Sequence, residues 1–456
     1  MVGKRSSATL TGDRLDGARI DPRRQQAAGH RLRRNRIVAA KPIDQIRSQL
    51  GRRSRQLRQI WLLEGPRGIS NRVRKVMAEW IRPKEMVLPV RPADVMAADL
   101  TRPPIFAAPK AKRADQAITV NWVVAPAGAG SGGHTTMYRI VNYLEAHGYN
   151  NRIYFYDVHG ADHQYYESIV RRYYGFRGPV GSVDEPMAEA DAVVATCWAS
   201  AYPVFNSQCS GRRFYFVQDF EPFFYPMSAA SVLAENTYRM GFHAITAGRW
   251  LTEKLREEFG MNADYFDFGC DTARYRRLPG IRRSGVAFYT RPGAPRRGTE
   301  IGLMALDIFA KRRPDIELHL YGEKMGHLPF DFIDHGTVTP DELNTIYNRC
   351  FAGLNLSLTN VSLVPHEMLA AGCIPVVNDA VHNRLVLDNP FVRYAPPNPH
   401  ALASELEALV DTPDFDSLSR AAAESVRTVT WDNAGAKVDA IFRRALADCA
   451  ECAPKA

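Results

Sequence analysis

The sequence holds no run of about 18 or more apolar residues, so no segment reads as a membrane-spanning helix. Its first residues, MVGKRSSATLTGDRLDG, lack the apolar stretch of a secretory signal, and a cytoplasmic location is expected. Cysteine is scarce: seven in 456 residues, at positions 197, 209, 270, 350, 373, 449 and 452. An odd, scattered set suits a reducing compartment and argues against a disulfide scaffold. Cys449 and Cys452 make a lone C-x-x-C without the second pair a structural zinc site needs, so no metal is expected.

What is present is an ordinary globular composition with a lopsided charge. Hydrophobic residues are 45% and charged residues 24%, and the length suits about two to four domains. The net charge is +10. Residues 1–115 hold 27 Lys and Arg against 10 Asp and Glu, whereas the remainder holds 32 against 39. The body is mildly acidic and the positive excess lies in the first quarter. That excludes a nucleic-acid-binding core and points to a basic arm on a globular body.

Residues 1–45 are rich in Arg, Gln, Gly and Ser and read as disordered. Residues 46–65 fit a basic amphipathic helix. A second follows Ser70 as N-cap, with Val73, Val76, Met77, Trp80 and Ile81 on one face and Arg72, Arg74 and Lys75 on the other, ending at Pro83. Such helices over 46–82 can lie on an anionic membrane surface or dock on the body. Residues 83–115, proline-rich and aperiodic, read as a linker.

From residue 117 strand and helix alternate. Ile118–Ala125 is a buried-strand run. It meets a glycine-dense turn, Gly128 to Gly133, and a helix stopped by Gly148. Further strands are expected at Arg152–Tyr156, Ala192–Ala195, Phe214–Val217 and His243–Thr246. A second series starts with Val286–Tyr289 and runs through Glu317–Tyr321, Ala352–Leu356 and Ile374–Asn378. Two α/β halves imply two facing Rossmann-like domains, at 116–280 and 281–412, after an arm at 1–115 and before C-terminal helices at 413–456. Ligands in such sheets bind beyond the carboxyl ends of the strands.

Three segments carry candidate chemistry. Gly132 and Gly133 open a helix after the first strand, where exposed N–H groups and the helix terminus favour an anion. The spacing G-x-G-x-G-G is not a dinucleotide fingerprint, and Asp157 is only a partial match for a ribose ligand. Arg291, Arg296 and Arg297 follow a strand end in a loop stiffened by Pro292 and Pro295, a guanidinium cluster suited to a diphosphate. Glu367 sits in the first turn of a short helix, where it can accept ribose hydroxyls. Tyr321 at a strand end and Ser362 in the loop before Glu367 complete the donor-side set. Asp219 and Glu221 form a D-x-E that is expected on the acceptor side, and His243 at a strand start is a further candidate for chemistry. The aromatic set Phe220, Phe223, Phe224 and Tyr225 suits either packing or sugar stacking.

The segment around Glu367 resembles the nucleotide-binding end of retaining GT-B glycosyltransferases of the family-4 type, E-x7-E followed by A-x-G-x-P-V-V. Ala370, Gly372, Pro375, Val376 and Val377 match, and Glu367 matches the second acid, but Thr359 stands at the first. Arg297-Gly298 lies where that family commonly has Lys-Gly, and Thr430-Trp431-Asp432 resembles its Trp motif before the final crossover helix. Phe216–Pro226, Ser131–His134 and Arg291–Arg296 resemble a narrower branch, the WsaF-like rhamnosyltransferases. The resemblance covers roughly residues 117–450. It implies a GT-B fold and a dTDP-rhamnose donor. It also implies a glycan or lipid-linked glycan acceptor in cell-surface polysaccharide synthesis, retention without a protein nucleophile, and no cofactor beyond the nucleotide sugar. A UDP- or GDP-sugar donor, a NAD-linked oxidoreductase and a non-catalytic glycan-binding protein remain as alternatives.

Overall fold

The structure is a computed structural model. It describes residues 43–81, 87–109, 116–126, 128, 130–160 and 163–451. The disorder expected for 1–45 falls almost wholly outside these residues.

The chain divides at residue 86 into two units. In the first, α1 (Ile43–Ile81) is two helices joined at Gly65, whose φ of 61° breaks the helical path. Pro66 then opens the second helix, a position where its fixed φ and missing N–H cost nothing. The expected start at Ser70 is therefore corrected: Ser70 lies inside a helix begun by the Gly65-Pro66 break, and Glu64 pairs with Arg72 at 2.7 Å across that break. Val73, Val76, Met77, Trp80 and Ile81 are all exposed. Among the described residues no helix is long and apolar enough to cross a membrane.

The second unit begins at Val87. Its chain order is α2 (Pro92–Ala97), β1 (Thr119–Val124), α3 (Gly132–Ala146), β2 (Asn150–Phe155), α4 (His163–Ile169), β3 (Val180–Ser182), β4 (Ala192–Ala195), α5 (Trp198–Asn206), β5 (Arg212–Val217), α6 (Ala229–Asn236), β6 (His243–Ala247), α7 (Arg249–Phe259) and β7 (Ala263–Phe266). A second series follows with β8 (Gly285–Thr290), α8 (Thr299–Arg312), β9 (Glu317–Gly322), β10 (Ile333–Asp334), α9 (Pro340–Arg349), β11 (Cys350–Leu354) and α10 (Val364–Ala370). It closes with β12 (Ile374–Asn378), α11 (Val381–Leu387), β13 (Arg393–Ala395), α12 (Pro399–Val410), α13 (Phe415–Glu424) and α14 (Trp431–Glu451).

Two parallel sheets result, ordered β3-β2-β1-β4-β5-β6-β7 and β10-β9-β8-β11-β12-β13. Helices cover both faces of each, which is why the central strands are apolar at nearly every position: Val120, Trp122, Val123, Val193 and Val194 are fully buried. In both sheets the order reverses beside the first strand, so the crevices open beyond the carboxyl ends of β1 and β8.

Two segments depart from expectation. Residues 87–109, expected as linker, pack on the first domain: Val90 is fully buried, and Leu88, Val95 and Phe106 join the same cluster. Phe106 lies 5.8 Å from both Phe205 and Phe242. These residues are irregularly spaced along the segment, so their burial leaves no period to read. The last helix, α14, crosses back to the first domain, where Phe442 meets Trp122, Tyr149 and Phe214 at 6.1, 6.2 and 4.8 Å.

Candidate functional site

The loop Arg291–Gly298 leaves the carboxyl end of β8 and turns into α8. Gly298, at φ 56°, makes the left-handed step that starts the helix. Its arginines have three different surroundings. Arg291 is exposed at the rim and donates to Tyr289 Oη at 3.1 Å. Arg296 lies 4.1 Å over the Phe224 ring, a cation–π contact with the first domain. Arg297 runs under the loop after β11, donating to Ser357 Oγ at 2.6 Å and the Asn360 carbonyl at 3.4 Å. Burial lowers the Arg297 pKa, while the nearby Asp219 carboxylate opposes the shift.

That receiving loop is stapled from below. Ser357 N–H donates to Asn378 Oδ1 at 2.8 Å, Asn378 Nδ2 returns a bond to Ser357 O at 2.9 Å, and His382 Nε2 lies 2.7 Å from the same carbonyl. Ser357, Asn360, Asn378 and His382 were missed from sequence. The available signal was the run of asparagines at apolar strand ends, since a buried amide there must be satisfied by structure.

Glu367, in α10, is enclosed by Cys270, Asp271, Tyr275 and Arg139, the last reaching across from α3. Burial pushes its carboxyl up to about 7, against the pull of Arg139 and a bond from Tyr275. After α10, Gly372 takes φ 71°, and a Cβ there would sit 2.2 Å from Ser419 Oγ, so only glycine fits this turn. Ser362 reaches Asn355 Oδ1 at 3.4 Å in the loop just before. Tyr321 stacks on Tyr289 at 5.4 Å, but its hydroxyl turns inward to Tyr347 Oη at 2.9 Å. It is 3% exposed, so the expected donor contact by Tyr321 is corrected to a core role; Tyr289 is the ring beside Arg291.

On the first domain, Gly132 and Gly133 start α3 beyond the carboxyl end of β1. A Cβ on Gly132 would meet no described atom within 4 Å, and on Gly133 only Gln218 at 3.6 Å. Packing therefore does not demand glycine at either position. Ser131 Oγ lies 3.0 Å from His134 Nδ1, and His134 Nε2 lies 2.8 Å from Ala125 O, fixing the turn. Asp157 accepts from His159 N–H at 2.9 Å and lies 3.3 Å from Tyr166 Oη, so its carboxylate is already engaged.

The three residues expected to do chemistry fall in three different places. Asp219 is at the cleft, buried, with contacts to both domains: Phe220 N–H and Asn360 N–H reach Oδ1 at 2.9 Å each, and Thr359 Oγ1 donates to Oδ2 at 3.0 Å. Arg296 Nε stands 3.5 Å from Oδ2. Burial raises the Asp219 pKa and the two arginines oppose that. Glu221 caps α5 instead of facing the cleft. It accepts from Trp198 N–H and from Tyr215 Oη, and burial raises its carboxyl to about 8. His243 is corrected outright: it begins β6, at the amino end of the sheet, away from the cleft. Its Nε2 lies 2.8 Å from Asp264, which also holds Arg444 of α14 at 2.6 Å. His243 therefore belongs to the anchor of the last helix. The aromatic set divides likewise. Phe220 is 3% exposed and Phe223 is 54% exposed, Phe224 lies under Arg296, and Tyr225 accepts from Trp198 Nε1 at 3.1 Å.

Two family descriptions match segments of the chain. The family described as WsaF, C-terminal domain, matches residues 284–407, and WsaF, N-terminal domain, matches residues 181–247. The chain is similar to WsaF over these two segments. Its two sheets and returning helix are the GT-B fold. The O-antigen biosynthesis protein RfbC of Myxococcus xanthus is 33% identical over 268 residues, covering 56% of this chain and 21% of that protein. The chain thus spans about a fifth of that relative's length. Among solved structures, the sucrose-phosphate synthase of Thermosynechococcus elongatus aligns with a TM-score of 0.56 at 12% identity, over 73% of this chain and all of that one. The Anabaena protein Alr3699/HepE, solved with UDP and glucose, gives 0.55 at 13% identity over the same shares. The similarity shows that the fold is shared.

Proposed function

We propose that this WsaF-like chain is a glycosyltransferase of polysaccharide assembly, taking a sugar from a nucleoside-diphosphate donor to a glycan acceptor. The observation that carries the reading is the arginine loop at the carboxyl end of β8, with Arg296 and Arg297 brought together at the cleft. Two guanidiniums offset by one carboxylate suit the charge of a diphosphate leaving group. Glu367, on the same domain, suits the nucleotide ribose, and Gly132 and Gly133 leave room for the sugar from the facing domain. In the transfer, an acceptor oxygen bonds to the anomeric carbon as that carbon's bond to the diphosphate oxygen breaks. The acceptor proton passes to the departing phosphate. The engagement of Asp219 and Glu221 by protein donors supports a route without either as nucleophile, and the arginines supply the charge a metal would otherwise provide.

The resemblance favours dTDP-rhamnose as donor and a lipid-linked glycan as acceptor. A location on the inner face of the membrane fits the basic helices of 46–82, whose exposed apolar side chains alternate with Arg and Lys. A thermal-shift panel of nucleotide sugars tests the donor: a specific rise with dTDP-rhamnose over UDP- and GDP-sugars is expected. Combined Arg296→Ala and Arg297→Ala should abolish transfer while the fold persists; unchanged turnover would sink the assignment.

A further inference from the structure

Asp219 is held by three hydrogen bonds and faces a fourth donor. A carboxylate accepts about four bonds; this one receives Phe220 N–H, Asn360 N–H and Thr359 Oγ1, while Arg296 Nε stands 3.5 Å away without completing a bond. Two of these donors belong to the loop of residues 357–360, the same loop whose Ser357 and Asn360 hold Arg297. Asn360 ties the seam again, donating through Nδ2 to Gln218 O at 2.9 Å and Ala247 O at 2.8 Å. Arg296 Nε is buried and makes no well-formed hydrogen bond, its nearest anion being Asp219 at 3.5 Å. The guanidinium is thus held by charge and by the Phe224 ring, in a position it can share. Position 359 matters here: a longer acidic side chain would bring a second carboxylate into the space Asp219 fills.

We propose that Asp219 is a positioning residue that ties the two domains across the cleft and shares Arg296 with the donor diphosphate. Its charge weakens the hold on the nucleotide, while its hydrogen bonds align the arginine loop for transfer. This rests on the donor reading of that loop. It separates the two quantities that a purely structural role would move together.

The test uses the full chain, with UDP and dTDP as binding probes and dTDP release from dTDP-rhamnose as turnover. Asp219→Asn keeps the size and removes the charge. It should bind nucleotide about 3- to 10-fold more tightly, because an opposing charge near Arg296 is gone, and should turn over at least about 10-fold more slowly. Thr359→Val keeps the charge and removes one bond; it should slow turnover without tightening binding, and it serves if the first variant does not fold. Weaker nucleotide binding by Asp219→Asn, or a Thr359→Val that tightens it, overturns the proposal. A wild-type chain that binds neither nucleotide overturns the donor reading itself, and this inference with it.

Discussion

Replacing Glu367 by Gln should make the protein more stable and a poorer nucleotide binder. Burial raises this carboxyl from 4.5 to about 7, so the folded state holds its proton more tightly than the unfolded chain does. Stability therefore falls as pH rises through that window, and the full cost is present above pH 7. The displacement corresponds to about 3 kcal/mol. Partial solvent access at the site reduces the expected effect to about 1–2 kcal/mol. Glutamine cannot ionise, so urea unfolding followed by fluorescence should show the variant ahead by that amount at pH 8 and level with wild type below about pH 4. Affinity should move the other way. A carboxylate accepting ribose hydroxyls is worth about 1.5–3 kcal/mol, so the variant should lose at least about tenfold in nucleotide affinity at pH 8. Wild-type affinity should itself fall on acidification through about pH 7, as the carboxylate is protonated. A Gln variant no more stable at pH 8 than wild type would refute the burial argument, whatever happened to binding.

Three further outcomes follow from the placements above. His243→Ala should leave turnover unchanged and cost about 1–2 kcal/mol, the price of a buried hydrogen bond, read by thermal unfolding. Tyr321→Phe should cost about 1 kcal/mol through its lost bond to Tyr347 and leave nucleotide affinity unaltered by calorimetry. Glu221→Gln should already be more stable than wild type at pH 7, because the folded carboxyl holds its proton up to about 8 while the unfolded one is ionised above about 4.5. The advantage should disappear below about pH 4 in the same unfolding assay.

The alternation of strands and helices was legible because buried parallel strands are nearly all apolar, as Thr119–Val124 and Ala192–Ala195 are. The placement of the arginine loop was legible too, because the apolar run of β8 ends at a cluster of Pro and Gly that must turn the chain before the next helix. His243 misled because its strand was read without its direction. In a parallel sheet the first residue of a strand lies at the end opposite the ligand crevice. Tyr321 misled because a strand end fixes where the Cα lies but not which way the hydroxyl turns. Asn360 and Thr359 were opaque for a deeper reason, since their bonds to Asp219 span about 140 positions of chain. No local pattern encodes such a pairing.

The returning helix has a consequence for how the chain is made. Trp122 and Phe214 are fully buried in the first sheet, yet Phe442, which covers them, is joined to the chain more than two hundred residues after either. Tyr149 likewise waits for Asp439, and Arg212 for the Ala445 carbonyl. During synthesis the first domain therefore leaves the ribosome with an aromatic face uncovered until the second domain has been completed. The domain translated first is finished last, and a chain cut short within α14 would leave that older domain, and not the newer one, with the open wound.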